Sequence, residues 1–479
     1  MNVVIIGSGT SGIIVAKTFL DYNYKVHLID SENFTDDIEN KIRAKFLPSL
    51  KRSPKFDNKP LIRSIKKFKK KYNITTKNFF LVSSLISGGL SNYWGAGLEI
   101  PSKRYLKKYS FGNSILNEQN YINREIGIKK RKFKFYDFFF KQKIIKKLLN
   151  LKNRSIYFRK LLLAINQFDK KKLSMEDYNN VDLLGSYNKQ AYNAKFQILH
   201  LLKNKNFTYI PNTFIENIKR NKNRYLLISK KKKLNNIKFN KIIISAGTVG
   251  STILVDRMLG LSEKYRLFHT PILKIMYYSF LLPLMINNKI KFGLSLLNIN
   301  IYIKNEKFSG SFMQLSNIAN SVFRITNLNI FFTFIKKFFF IGNIFLPPQY
   351  SNTFIDIKKR KVFIYSKENF KKKKIISKIK NKLNSFLKKF SLFEFPIQNL
   401  KFLDNGSDAH YTSTLAYKYK NGNKILNDKC ELIKFKGVHI IDGSSIKEGL
   451  HYPNYFLMMY SRFISKKIII NDKKNKNKH

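Results

Sequence analysis

Three glycines near the start of the chain have the spacing of a phosphate-binding turn. Gly7, Gly9 and Gly12 follow the apolar run "NVVII" and open a stretch with helical periodicity. Glycines there allow a tight turn, a close backbone approach to a pyrophosphate and close packing of helix on strand. A helix that begins at this point also presents unpaired N–H groups and its positive dipole end to the anion. We therefore expect Gly7, Gly9, Thr10, Ser11 and Gly12 to bind a nucleotide.

An aspartate follows this turn at the distance typical of a ribose-binding residue. Asp30 ends the apolar run "KVHLID", about 20 residues beyond the glycines, where a carboxylate accepts hydrogen bonds from a ribose diol. The strand, turn, helix and second strand predict a βαβ unit. They do not distinguish NAD from FAD.

Two other stretches repeat the pattern of an apolar strand, a glycine turn and a helix. They are "KIIISAGTVGSTILVDRMLGL" at 241–261 and "GVHIIDGSS" at 437–445, which is followed by "NYFLMMYSRF" at 454–463. "GGLSNYWGAG" at 88–97 is a glycine-rich loop. Such units bring backbone N–H groups and helix N-termini to one edge of a parallel sheet, where a long ligand can bind.

The patterns as a whole predict an α/β protein, with a Rossmann-like nucleotide-binding domain and a discontinuous second domain of a β-sheet plus helices. "FYDFFFKQKIIKKLLN" has helical spacing, whereas "LNINIYI" alternates like a strand. The nucleotide-binding domain is assigned to 1–124, 196–265 and the closing segment 401–470. The second domain is assigned to 125–195 (read as a helical insertion) and 266–400, and 471–479 to a disordered basic tail.

The four glycine-rich blocks, in this order, resemble the glucose–methanol–choline family of FAD-dependent oxidoreductases. The block at 241–261 is similar to the second signature of that family, and 437–463 is similar to its closing segment. The loop at 88–97 resembles the flavin-covering loop and is closest to the pyranose oxidase branch. The resemblance hardly extends to 105–195 or 265–400. It implies FAD, bound in part by Gly88, Gly89, Ser91, Asn92, Trp94, Ala246, Gly247, Asp442 and Gly443.

The resemblance also implies which residues act on a substrate. The family has a His in a loop ahead of its closing strand, and "GSDAHYTSTLAY" puts His410 there. A neutral imidazole, with an ordinary pKa of ~6.5, suits the removal of a hydroxyl proton while hydride leaves the carbon for the flavin. "LHYPNYF" puts Asn454 where the family has a His or Asn that orients the substrate oxygen. His451 is the alternative for this second position.

The sequence departs from the family around each of these residues, and other interpretations stay open. His410 is followed by Tyr411 instead of glycines, and it also fits a loop histidine bonded to the backbone. Asn454 is followed by Tyr455 instead of proline, and it also fits a helix N-cap. Tyr93 replaces the flavin-linked His of the pyranose oxidase branch, which implies non-covalent FAD.

Three smaller assignments complete the expected site. Ile215, in "NTFIEN", is expected to contact the adenine through its backbone. Tyr93 and Trp94 pack either in the core or against the flavin. The remaining histidines are interpreted as structural or surface residues: His27, His200, His269, His439 and His479.

The chain is strongly basic, with 91 Lys and Arg against 29 Asp and Glu and a net charge of +62. Such a field attracts nucleic acid or acidic lipid. Compositional drift is the favoured explanation of the charge, because the basic residues are spread throughout and no RNA-binding module is visible. We expect no nucleic-acid partner and at most a weak association with an acidic membrane surface.

Cysteine content and hydropathy favour a cytoplasmic protein. Cys430 is the only cysteine, so an internal disulfide is impossible and no metal site is expected. The first apolar run belongs to the glycine-turn unit and is not a signal peptide. The apolar stretch 329–347 is interrupted by Lys336 and Lys337 and falls short of the ~20 residues that cross a bilayer.

Together these features predict an FAD-dependent oxidoreductase that oxidises a CH–OH group of a sugar, polyol or related alcohol. The sugar preference rests on the pyranose oxidase-like loop alone, and nothing in the sequence indicates the electron acceptor. Two other classes also fit: a flavoprotein that binds a polyanion such as RNA, and a non-catalytic flavoprotein at a membrane surface. Reduction of a bound flavin by alcohols would distinguish the enzyme from both.

Overall fold

A computed structural model describes residues 1–32, 59–128, 143–151, 155–165, 181–182, 185–186, 191–221, 224–229, 234, 239–281, 295, 297–314, 338–395, 401–416, 419–420 and 423–476. These residues form a five-stranded parallel sheet, a seven-stranded antiparallel sheet and a four-stranded mixed sheet, with helices packed beside them. The arrangement confirms the predicted α/β class, with a Rossmann-like domain and a second domain built on a β-sheet.

The strands of the parallel sheet come from distant parts of the chain. They are β1 (Asn2–Ile6), β2 (Lys25–Ile29), β9 (Phe207–Ile210), β12 (Lys241–Ile244) and β24 (Val438–Ile440). Their order is β24-β12-β1-β2-β9, and every pairing is parallel. The three strands that precede glycine turns in the sequence, β1, β12 and β24, are therefore neighbours. Their carboxyl ends meet at one edge of the sheet.

Ten α-helices lie in the described part of the chain. They are α1 (Thr10–Asp21), α2 (Lys59–Tyr72), α3 (Lys103–Leu106), α4 (Gly112–Ile115), α5 (Gln119–Glu125), α6 (Lys143–Asn150), α7 (Ala194–Leu201), α8 (Thr248–Leu259), α9 (Phe370–Leu387) and α10 (Pro453–Lys476). None of these helices has the combination of length and apolar character that crossing a bilayer requires.

Two glycines of the first turn are required by the backbone itself. Gly7 has φ +102°, and a Cβ there would lie 2.4 Å from the carbonyl oxygen of Ser245 at the end of β12. A Cβ on Gly12 would lie 2.0 Å from the carbonyl oxygen of Gly7. A larger residue at either position would therefore push α1 away from the sheet, as the spacing of the motif predicts.

The other strands form the second domain and several short ribbons. The seven-stranded sheet consists of β5 (Ile156–Lys160), β14 (Ile272–Tyr278), β15 (Leu297–Ile303), β16 (Glu306–Gln314), β17 (Phe339–Phe345), β20 (Phe393–Glu394) and β21 (Lys401–Phe402). The four-stranded sheet consists of β3 (Ile74–Lys77), β13 (Lys264–Leu267), β18 (Thr353–Lys358) and β19 (Lys361–Ser366). Short pairs are β4 (Gly97–Leu98) with β6 (Leu162–Leu163), β7 (Val181–Asp182) with β8 (Gly185–Ser186), β10 (Asn217–Asn221) with β11 (Arg224–Ile228), and β22 (Tyr419–Lys420) with β23 (Asn423–Lys424).

The seven-stranded sheet has one apolar face and one mixed face. Side chains alternate along a strand, so residues two apart share a face. On one face Phe158 stacks on Phe386 of α9 at 6.0 Å between ring centroids, and Tyr277 donates to Asn384 of the same helix at 2.8 Å. Helix α9 therefore covers the apolar face. The opposite face includes polar residues and is turned toward the parallel sheet.

Two segment assignments from the sequence need correction. The segment 125–195 is not helical throughout, because β5 alternates Ile156 and Phe158 with Tyr157 and joins the sheet beside β15. The end of the chain is helical through Lys476, where a disordered tail was expected from 471. Asp472 anchors it by pairing with the Lys241 ammonium at 2.9 Å. Residues 135–142 and 329–337 of the two apolar stretches, and His479, lie outside the described residues.

Candidate active site

A cavity of about 590 Å³ lies at the carboxyl edge of the parallel sheet and extends to the mixed face of the seven-stranded sheet. Its size is typical of small-molecule sites. Fifteen of the eighteen site residues predicted from the sequence line it. They are Gly7, Gly9, Thr10, Ser11, Asp30, Gly89, Ser91, Trp94, Ile215, Ala246, Gly247, His410, Asp442, Gly443 and Asn454.

The three other predicted residues lie behind the cavity wall. Gly12 packs on the turn below it, as described above. Gly88 has φ +85°, and a Cβ there would lie 2.7 Å from the backbone nitrogen of Lys195. Asn92 donates to the carbonyl oxygens of Ser87 and Gly89, at 2.9 and 2.8 Å. Gly88 and Asn92 therefore fix the shape of the glycine-rich loop.

Two helix N-termini open into the cavity without a side-chain cap. Helix α1 follows Gly9 and α8 follows Gly247, and neither glycine can cap its helix. The first-turn N–H groups of a helix have no partner within the helix. A Cβ built on Gly9 or Gly247 would meet no atom within 4 Å, so both positions face open space. The Ser11 hydroxyl, buried in the first turn of α1, also has no partner among the described residues. This arrangement suits an extended anion.

Asp30 lies at the end of β2 beside the α1 turn. Its carboxylate accepts hydrogen bonds from Ser8 and from the Tyr209 hydroxyl, the latter at 3.3 Å. Burial raises the pKa of Asp30 to about 7, against the opposing effect of these hydrogen bonds. Ser8 also accepts from the backbone N–H of Gly88 at 2.7 Å, which joins the glycine-rich loop to the turn. The sequence did not single out Ser8.

Asp442 and Gly443 form the turn after β24 and hold the third glycine-rich block in place. The Asp442 carboxylate accepts from the Ser251 hydroxyl of α8 at 2.5 Å and from the backbone N–H of Ser444 at 2.9 Å. Burial raises the pKa of Asp442. A Cβ on Gly443 would lie 2.4 Å from Thr248 Oγ1 at the start of α8. This turn therefore packs directly on the N-terminus of α8.

The loop with His410 is fixed on both sides. The backbone groups of Thr412 and Phe268 exchange hydrogen bonds at 2.9 and 3.3 Å, which ties the loop to the segment before β14. On the other side, Thr248 Oγ1 donates to the carbonyl oxygen of Tyr411 at 2.6 Å. Ala409, next to the histidine, has φ +57°, which is uncommon for a residue with a Cβ. His410 is thus held at the cavity wall by tertiary contacts.

Behind His410 lies a hydrogen-bonded group of buried polar residues. Its Nδ1 lies 3.1 Å from Thr270 Oγ1, and that hydroxyl donates to Asp408 at 3.3 Å. Asp408 also accepts from the backbone N–H groups of Thr270 and His410, at 3.0 and 3.1 Å, and bonds to His269 Nδ1 at 2.9 Å. Among the described residues, the ring of His410 therefore bonds to a side chain, whereas the alternative interpretation expected a bond to the backbone.

These contacts determine which ring nitrogen of His410 is basic. Burial would raise the pKa of Asp408, but His269 and its other donors keep it below the usual value, so the carboxylate is ionised and only accepts. The single proton of the Thr270 hydroxyl goes to this carboxylate, so its oxygen accepts from Nδ1–H of His410. Nε2 is then the unprotonated nitrogen. Burial also lowers the pKa of His410, which keeps the ring neutral at pH 7.

Phe345 contacts both His410 and Tyr452, the residue before helix α10. Its ring lies 5.1 Å from that of His410 and 5.3 Å from that of Tyr452. Helix α10 begins at Pro453, a residue favoured at the first helical position. Asn454 is the second helical residue and lines the cavity, so the N-cap interpretation is wrong.

His451, the alternative for the second position, lies outside the cavity lining given by the described residues. Its Nδ1 is 3.9 Å from the Glu99 carboxylate, which also pairs with Arg159 at 2.8 Å. Burial lowers the pKa of His451 to about 4. His451 therefore belongs, with Glu99 and Arg159, to a polar cluster behind the wall of the cavity.

Sequence reasoning missed Thr270 and Asp408, and it did not connect His269, interpreted as structural or surface, with His410. His269 is completely buried and bonds to Asp408. The one available signal was Asp408, two residues before His410 in "GSDAH". Nothing in the sequence indicated Thr270, because it lies beside His410 only as a result of the pairing of Phe268 with Thr412.

No protein-family model and no curated protein sequence matches the chain, but solved structures with a similar fold are found. A variant of formate oxidase from Aspergillus oryzae RIB40, studied for FAD modification, has a TM-score of 0.62 at 10% identity, over 97% of this chain and 98% of that one. Pyridoxine 4-oxidase from Mesorbium loti has a TM-score of 0.61 at 10% identity with the same coverage. A second formate oxidase variant has 0.56 at 11% identity, over 98% of each chain. The chain therefore has a fold similar to that of these oxidases over nearly its whole length.

Proposed function

We propose that the protein is an FAD-dependent oxidoreductase that oxidises a CH–OH group of an alcohol. One observation supports this most: a single cavity joins two uncapped helix N-termini to a neutral histidine whose Nε2 is free to accept a proton. The similarity to formate oxidase, whose FAD modification has been studied, supports the choice of cofactor.

The residues present fit FAD. Gly9 and Gly247 leave room beside two helix N-termini, where a pyrophosphate would gain from backbone N–H groups. The Asp30 carboxyl at the end of β2 would bind a ribose diol. Ile215 lines the same end of the cavity and would contact the adenine. Because residue 93 is a tyrosine, we propose that the cofactor is not bound covalently through this position.

At the other end of the cavity, His410 and Asn454 would act on the substrate. Bound FAD would supply the two-electron acceptor for the hydride that leaves the alcohol carbon. His410 Nε2 takes the hydroxyl proton, and the carbon–oxygen bond becomes a carbonyl. The Asn454 carboxamide would orient the oxygen. A sugar or polyol is the substrate class that we favour.

Binding and reduction of FAD by the purified protein test this function directly. It should take up added FAD with a change in the flavin absorption spectrum, and sugars, polyols or simple alcohols should bleach that spectrum without oxygen. A folded protein that binds no FAD would overturn the proposal. FAD that binds but is reduced by no alcohol would instead favour a non-catalytic flavoprotein.

Gly9→Val separates cofactor binding from folding. A Cβ at Gly9 would meet no atom within 4 Å, so we expect the free energy of unfolding to change by less than ~1 kcal/mol. The same side chain would occupy the space proposed for the pyrophosphate, so FAD affinity should fall at least ~10-fold. Flavin fluorescence titration and denaturant unfolding measure the two effects.

Gly7→Val is the matched comparison. Here φ is +102° and the new Cβ would meet a backbone carbonyl, so stability itself should fall by roughly 1–3 kcal/mol. Wild-type FAD affinity in Gly9→Val would contradict the proposed position of the pyrophosphate.

A further inference from the structure

A row of polar side chains crosses the cavity-facing side of the seven-stranded sheet. Cross-strand register pairs Asn298 with Ser311, Ser311 with Asn343, and Asn343 with Lys274. Residues paired in this way share a face. Ser311 and Asn343 line the cavity, together with Phe345 on the same face of β17. This part of the sheet is therefore a wall of the cavity.

Asn343 has an unsatisfied acceptor. Its Oδ1 is buried and has no hydrogen-bond partner among the described residues. Asn298, in the same row, is satisfied at both ends of its carboxamide: Nδ2 donates to Ser309 Oγ at 3.1 Å, and Oδ1 accepts from Arg159 at 3.0 Å. A buried acceptor without a donor is unfavourable, so it points to a donor other than the described residues.

The distance from Asn343 to the candidate base limits the size of this donor's molecule. Phe345 contacts the His410 ring, at 5.1 Å between centroids. Asn343 lies two residues from Phe345 on the same strand, which corresponds to about 7 Å. A donor at Asn343 and a reacting hydroxyl at His410 would thus be on the order of 7–10 Å apart.

We propose that Asn343, with Ser311 beside it, recognises a second hydroxyl group of the substrate, remote from the carbon that is oxidised. The substrate class is then a polyhydroxylated or bifunctional alcohol. The remote hydroxyl donates to Asn343 Oδ1 and completes the polar row. This inference rests on the proposed function, and it derives the polyol preference from the wall of the cavity.

Linear diols of different length test the distance between His410 and Asn343. Diols with terminal hydroxyls and about five to seven carbons, with C–C bonds of about 1.5 Å, span the required distance. Each is compared with the alkanol of equal length, by the rate of anaerobic FAD reduction and by the calorimetric dissociation constant. The best diol should exceed its alkanol by roughly 10-fold or more, because only the diol satisfies the buried acceptor. Shorter and longer diols should lose the advantage.

Variants show whether Asn343 is responsible for the advantage of the diol over the alkanol. Asn343→Leu should reduce the advantage of the diol to about 1-fold, whereas Asn343→Asp, which keeps an acceptor, should retain part of it. Ser309→Ala is the matched control, because Ser309 lies on the same face of β16 but outside the cavity lining. It should keep the full advantage.

The outcomes separate this inference from the proposed function. Equal rates and affinities for diols and alkanols, with FAD reduced by both, would overturn the role of Asn343 and leave the oxidoreductase intact. Reduction by neither of these and by no sugar or polyol would overturn the function, and calorimetry with the diols would still test the wall. If Asn343→Leu does not fold, the dependence on diol length in the wild type decides.

Discussion

Replacing His410 with alanine should leave FAD bound but slow its reduction by the alcohol at least ~100-fold, the low end for loss of a general base. His410 is the cavity-lining histidine among the described residues, and its Nε2 carries no proton when Nδ1 donates to Thr270. Alanine leaves the hydroxyl proton without an acceptor. Anaerobic stopped-flow absorption measures the reduction, and titration with FAD measures binding.

His451→Gln is the control for this experiment. His451 lies near the same phenylalanine as His410, with its ring 6.5 Å from that of Phe345, but it faces Glu99 behind the wall. Its replacement should change the reduction rate little. Unimpaired reduction in His410→Ala, or a large loss in His451→Gln, would show that the base is wrongly assigned.

Asp408→Asn should slow reduction on the order of 100-fold, because the proton on His410 is no longer fixed on Nδ1. The carboxylate can only accept from Thr270, whereas a carboxamide can donate to the same hydroxyl. Thr270 is then able to donate to Nδ1, which moves the ring proton to Nε2. Loss of charge-assisted hydrogen bonds to buried donors should also lower the free energy of unfolding by about 2 kcal/mol.

The pH dependence of the reduction rate shows whether Asp408→Asn acts through the protonation of His410. A base acts when neutral, so the rate rises with pH through the pKa of His410, which burial lowers from its usual 6.5. The Asp408 carboxylate opposes that shift. Its removal lowers the pKa further, so the acidic limb of the profile should move to lower pH while the plateau falls.

Thr270→Val distinguishes positioning from general destabilisation. Valine removes the hydroxyl but leaves the Asp408 bonds to two backbone N–H groups and to His269. It should therefore reduce the rate with a smaller loss of stability than Asp408→Asn. If both variants keep the wild-type rate and pH profile, Thr270 and Asp408 have no positioning role.

The parts of the fold that the sequence predicts are those with a local signature. Gly7, Gly247 and Gly443 each follow a short apolar strand, and all three line the cavity, although hundreds of residues separate the first from the last. Each turn requires a small residue for a local reason. The three turns lie at the same cavity because the carboxyl ends of parallel strands share one edge of a sheet.

The parts that sequence reasoning misses depend on pairing between remote segments. Strand β5 is recognised only once its partner β15 is in place, since five alternating residues are a weak pattern. The group behind His410 exists only because Thr270 and Asp408 come together across 138 residues. Asn343 is one polar residue in an apolar strand, and its importance appears only when its acceptor proves buried and unsatisfied.

The pairing of β24 with β12, and of α10 with α1, has a consequence for biosynthesis. Residues 438–440 complete the parallel sheet, and Arg462 of α10 pairs with Asp21 of α1 at 3.0 Å. The first and last parts of the polypeptide must therefore meet before the sheet is whole, and such non-local contacts form slowly. The edge of the sheet that we propose to bind FAD is therefore complete only after residues 438–440 have been synthesised and have paired with β12.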